Sequence, residues 1–96
     1  MAKLDLDGLK DIAGFVGAAL VDGDSGMAMA ITAGGALNLE VAAAGNSDVL
    51  RAKRRVAQQL GLDDRIEDVL ITLGKQYHLL RPLESNELLF LYVVLD

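Results

Sequence analysis

The stretch "LLFLYVVL", Leu88 to Leu95, constrains the fold more than any other, because an extended chain with this composition has no face to show to water. Side chains alternate along a strand, so Leu88, Phe90, Tyr92 and Val94 point one way and Leu89, Leu91, Val93 and Leu95 the other. Such a strand has to lie centrally in its sheet and be covered on both sides. It is far short of the roughly 20 residues a membrane span requires. The 96 residues are too few for two separate cores, so residues 1–96 are expected to form a single domain. In a domain this small, self-association is a ready source of additional burial.

The rest of the chain supplies the layers. In "KLDLDGLKDIAG", Leu6, Leu9 and Ile12 fall three apart before Gly14, the pattern of a short amphipathic helix with a glycine stop. "FVGAALVD" and "MAMAITA" are strand-length apolar runs on either side of "GDSG", whose glycines suit a tight reversal. Asn38 is placed to cap a long helix from Leu39 to Leu60, with Gly61 as its left-handed stop and Arg51, Lys53, Arg54 and Arg55 in the C-terminal half. Three strands follow: "IEDVLITL", a Gly74-Lys75 reversal suited to a type II′ turn, "QYHLLRPL", the polar turn "ESNE", and the central strand. Pro82 lacks an N–H and belongs near the end of its strand. The expected class is α+β, a five-stranded, mostly antiparallel sheet with the long helix on one face and the short N-terminal helix on the other.

The long helix is more apolar than one sheet requires. At about 100° per residue, Leu39, Ala43, Leu50 and Ala57 form one stripe, and Val41, Ala42, Val49, Ala52, Val56 and Leu60 form a second beside it. Together they cover an arc of roughly 200°, about twice what a helix with its back to water needs. Glu40, Ser47, Arg51, Arg54, Arg55 and Gln58 mark the wet side, while Asn46 and Lys53 fall at the seam between the stripes and need a partner or a path to solvent. Gly45, on the second stripe, costs roughly 1 kcal/mol relative to alanine in a helix interior. Either it serves a tight helix-on-sheet contact, or it lets a second helix come close. The simplest second helix is that of a twofold-related copy. The expected interface comprises Ala42, Gly45, Asn46, Val49, Lys53, Val56 and Leu60, with Val69 and Ile71 of the following strand.

The order of elements, and the segments "LKDIAGFVGAALVDGDSG", the alanine-rich helix ending in "LG", and "EDVLITLGKQYHLLRPL" with "LFLYVVLD", resemble the roadblock family of dynein light chains and bacterial and archaeal GTPase-associated proteins. The resemblance spans nearly the whole chain and rests on packing and turn patterns rather than on catalytic residues. It implies a profilin-like or roadblock-like fold, a homodimer built on the long helix and the next strand, and adaptor or regulatory work on a Ras-like small GTPase in a signalling or motor complex. Many members carry a further helix after the last strand; this sequence stops at Asp96.

Other chemistry finds little support. A net charge of −5 disfavours a nucleic-acid surface. With no cysteine and one histidine, neither a thiolate nor a multi-histidine metal site can be assembled, and Asp63, Asp64, Glu67 and Asp68 lack the ligand spacing of a calcium loop. "GDSG" reads as a turn rather than a nucleophile motif, because the triad it would need has no partners. Gly74-Lys75 lacks the surroundings of a phosphate-binding loop. His78 reads as a hydrogen-bonded structural group, and Arg51, Arg54, Arg55 and Arg81 as solvated charges rather than a catalytic finger. The expectation is therefore a cytoplasmic protein without enzyme activity or cofactor, binding itself and a small GTPase. The alternative is a small-molecule-sensing or purely scaffolding dimer domain.

Overall fold

The computed structural model describes residues 6–33, 35 and 37–96. A 3-10 turn at Asp7–Asp11 leads into strands β1 (Phe15–Asp22) and β2 (Met27–Ala33). Helix α1 (Leu39–Gln59) follows, and then β3 (Val69–Thr72), β4 (Tyr77–Pro82) and β5 (Leu89–Leu95). The strands form one sheet in the order β2-β1-β5-β4-β3, with every neighbouring pair antiparallel. The strand with two apolar faces, β5, is the central one. Phe90, Tyr92 and Val94 are buried towards α1, and Val93 is buried on the opposite face with Ala18 and Leu20 of β1.

Local chemistry accounts for the boundaries. The Asn38 carboxamide oxygen accepts from the backbone N–H groups of Glu40 and Val41, each at 3.1 Å, which satisfies two of the donors left free at a helix start. At the other end Gly61 takes a φ of 71°, the left-handed stop. The β1–β2 reversal is held by Gly26, φ 78°, whose N–H reaches the Asp22 carbonyl at 2.7 Å, while the Asp22 carboxylate and Ser25 hydroxyl accept from Asp24 and Met27. The "GDSG" serine is thus a turn residue.

Three expectations are corrected. The N-terminal amphipathic helix is a single 3-10 turn along β1, with Leu6 and Leu9 half-buried and Ile12 exposed; the beginning of the segment expected to hold it lies outside the described residues. The Gly74-Lys75 reversal is closed by the Leu73 N–H donating to the Gln76 carbonyl, but Gly74 has no positive φ, so the turn is not type II′. Finally, β3 occupies only Val69–Thr72 of "IEDVLITL". Val69 pairs with Leu80, and continuing the ladder would bring the chain opposite Pro82, which has no N–H to offer.

The core lies between α1 and the sheet: Leu39, Ala43 and Leu50 of the helix pack with Val21, Leu80, Phe90, Tyr92 and Val94. Full burial of a leucine such as Leu50 contributes about 1.5–3 kcal/mol. The helix sits chiefly over β1 and β2, so its contacts with β3 and β4 are sparse. Val69 and Ile71 of the edge strand β3 are half-buried and pack against the far side of this core.

Candidate interaction surface

The structure separates the two stripes of α1. Leu39, Ala43 and Leu50 face the sheet and are buried, whereas Val41 (66% exposed), Val49 (37%), Val56 (41%) and Leu60 (68%) are not. Gly45 lies among them, exposed, and a Cβ built on it would meet no atom within 4 Å. Nothing inside this chain requires a glycine there. The glycine that approaches α1 from the sheet is Gly26, where a Cβ would lie 3.5 Å from the Cα of Ala44, an ordinary van der Waals contact. Of the two readings of Gly45, the tight helix-on-sheet contact is therefore excluded.

The nine residues expected to form an interface occupy one side of the molecule in two tiers. Gly45, Val49, Lys53, Val56 and Leu60 are exposed along α1; Ala42, Asn46, Val69 and Ile71 are half-buried, with Ala42, Val69 and Ile71 packed against the core. Exposed apolar residues spaced along one helix are of the type that marks a protein-protein contact. Ser47, in contrast, does not lie on the wet side. It is buried, with its hydroxyl donating to the Ala43 carbonyl at 2.9 Å, a back-bond to the preceding turn that lets a hydroxyl sit in an apolar contact.

Beneath the seam lies a hydrogen-bonded chain that the sequence did not reveal as a unit. The Tyr92 hydroxyl, in a residue 1% exposed, is 2.9 Å from His78 Nδ1, and His78 Nε2 is 3.0 Å from Gln76 Oε1. The rings of His78 and Tyr92 meet edge to face with centroids 5.6 Å apart. Burial pushes the tyrosine pKa up, opposed by a hydrogen bond from Asn46, and burial pushes the histidine pKa down. His78 is thus the structural histidine expected, and Asn46 has its partner.

Arg51, Arg54, Arg65 and Arg81 are committed to the fold, whereas Arg55 is exposed on α1. Arg51 donates to the Gly23 and Asp24 carbonyls at 3.1 and 3.3 Å and pairs with Asp48; Arg54, half-buried, donates to the Glu87 carbonyl at 2.7 Å. Arg81 grips Asp68 through two bonds of 2.5 and 2.9 Å, and this hydrogen-bonded guanidinium holds the Asp68 carboxyl below its ordinary pKa. A surface cleft of about 420 Å³ opens beside that pair, lined also by Asp64, Arg65, Ile66 and Glu67. Arg65 is paired with Glu87 at 2.5 Å, so neither arginine is available to an anionic ligand. Among the described residues no cluster of histidine and carboxylate groups fits a metal, and no helix is long and apolar enough to cross a membrane.

Sequence comparison matches the chain to no family model and to no curated protein. Structural comparison finds the roadblock fold. The Roadblock/LC7 domain from Streptomyces avermitilis superposes with a TM-score of 0.83 over 99% of this chain and 79% of that one, at 17% identity. MglB from Myxococcus xanthus gives 0.78 over 93% and 70%, at 17% identity. The gliding protein MglB from Thermus thermophilus gives 0.78 over 95% and 67%, at 19% identity. At such identities the likeness is one of fold, and it agrees with the resemblance read from the turn and packing patterns.

Proposed function

We propose that this protein is a non-catalytic homodimeric adaptor that binds a Ras-like small GTPase and acts on its GTP hydrolysis or its placement in the cell. One observation carries the reading: α1 exposes Val41, Val49, Val56 and Leu60 around a glycine that no intrachain contact requires. A second α1, related by a twofold axis, covers that stripe most economically, because one self-complementary patch serves both copies. In the proposed dimer the edge strand β3 extends the contact. The roadblock fold supports the dimer, and the sequence resemblance supplies the GTPase as the partner class. Regulation would proceed by positioning the GTPase's own catalytic groups, since Arg51, Arg54 and Arg81 are engaged within this chain.

The test has two parts. Val49→Asp places a charge in the centre of the stripe at a residue that is already partly exposed, so the chain is expected to fold and to sediment as a monomer, while the unaltered chain sediments as a dimer. A dimer of undiminished affinity removes this face from consideration. Co-purification with small GTPases encoded beside it is expected to recover a nucleotide-dependent complex, and failure across all of them removes the GTPase from the proposal.

A further inference from the structure

We infer that self-association across the α1 face is controlled by the protonation of His78: the dimer forms when the imidazole is neutral and loosens when it gains a second proton. The inference rests on the reading of that face as a homodimer surface and adds a means of regulation to it.

His78 belongs to the same face. It stands on β4 opposite Ile71 of β3 and Val94 of β5, on the side of the sheet that carries α1. It is half-buried. A second copy laid across Asn46 and Ile71 would take away its remaining water, and a charged group deprived of water is costly unless paired.

The hydrogen bonds around it run in one direction. Gln76 Oε1 can only accept, which places the imidazole proton on Nε2 and leaves the Nδ1 lone pair for the Tyr92 O–H. The Tyr92 oxygen in turn receives a hydrogen bond from Asn46. A proton added to Nδ1 would set N–H against O–H at 2.9 Å. Relieving that conflict requires Tyr92 to reverse its hydroxyl and Asn46 to turn its amide oxygen inward. Asn46 lies at the seam of the association face, so the proton is felt at the contact with the second copy.

The charged surroundings do not compensate. The groups set against His78 are Tyr92 of β5 and Gln76 of the β3–β4 turn, with Ile71 of β3 and Val94 of β5 as its cross-strand neighbours, and Asn46 of α1 reaches it through the Tyr92 hydroxyl. None of these groups is a carboxylate, so a protonated imidazole gains no counter-charge from them. Burial in the single subunit already holds the imidazole below its ordinary pKa, and association would lower it further. The sign follows: assembly expels protons, so affinity is full above the ordinary histidine value of about 6.5 and falls as pH drops through the window beneath it. With one histidine per subunit, the limit is two protons per dimer, or roughly a hundredfold in Kd per pH unit.

The experiment measures the dimer Kd by sedimentation equilibrium at pH 7.5 and 5.5, with circular dichroism to confirm the fold at both. The expected result is at least tenfold weaker association at pH 5.5 for the unaltered chain and a pH-independent Kd for His78→Gln. Because His78 is the only histidine, its imidazole titration by proton NMR is unambiguous, and its pKa should be lower in the dimer than in the monomeric Val49→Asp chain. The NMR comparison decides the matter even if His78→Gln fails to fold. Equal Kd at both pH values, the same pH dependence in His78→Gln, or equal pKa values in dimer and monomer would each overturn the inference. A chain that remains monomeric at every pH would overturn the self-association reading itself.

Discussion

Replacing Gly45 with alanine should move two measurable quantities in opposite directions. Gly45 lies in the seventh position of a 21-residue helix, with ordinary helical φ, and the space where a Cβ would go is empty within 4 Å. Inside one subunit the substitution therefore adds a methyl group without a clash and removes the backbone freedom of glycine from the unfolded chain. The gain is about 1 kcal/mol, which for a domain of this size is a rise in Tm of roughly 4–8 °C. At a helix-helix contact the same methyl group fills the space that brings the two backbones together, and overpacking costs about 1–3 kcal/mol, or roughly 5- to 150-fold in Kd. Subunit stability is best measured in the monomeric Val49→Asp background, because dimer stability depends on concentration. Thermal unfolding of Val49→Asp with and without Gly45→Ala gives the first quantity, and sedimentation equilibrium of Gly45→Ala alone gives the second. A lower Tm would mean that the glycine is packed within its own subunit. An unchanged dimer Kd would mean that Gly45 is not at a helix crossing. Either result refutes the argument that assigns this stripe to a second helix.

Two further substitutions test the fold beneath the surface. Tyr92→Phe removes the donor to His78 Nδ1 in a site with almost no access to water, and is expected to cost about 1–3 kcal/mol in urea unfolding; a loss within experimental error would mean that water replaces the hydroxyl. Asn38→Ala removes the acceptor of two backbone bonds at the start of α1 and should cost about 1 kcal/mol, with a matching loss of helical circular dichroism. An unchanged midpoint would show that the Asn38 cap does not stabilise the helix.

What the sequence disclosed depended on whether the determining interactions were local or periodic. The central position of β5 followed from "LLFLYVVL", because two apolar faces leave no other place in a sheet. Asn38 and Gly61 bounded α1 through short-range chemistry, and both did so in the structure. The wide apolar arc of the helix was visible from periodicity alone, but which stripe would remain uncovered depended on the offset of α1 towards β1 and β2, a tertiary outcome. Ser47 was misplaced for a related reason: on the helical wheel it sits at the boundary of the wet side, and a hydroxyl bonded to the carbonyl four residues earlier behaves as a small apolar group. The truncation of β3 depended on Pro82 coming opposite it, a register that the pattern of β3 itself does not contain. The chain from Asn46 through Tyr92 and His78 to Gln76 draws on the helix, two strands and a turn. Asn46 and His78 could be singled out as needing a partner, but neither named the other, and nothing in the sequence pointed to Gln76.

The shortness of β3 bears on how this surface tells one neighbour from another. A strand of four residues offers a newcomer only a few backbone bonds, and such bonds form with any main chain regardless of its side chains. In the proposed dimer, discrimination would fall to the shapes along α1, where exposed valines, a leucine and a glycine offer a relief for a complementary helix. Substitutions on that ridge can change the company this protein keeps while the sheet underneath remains as it is.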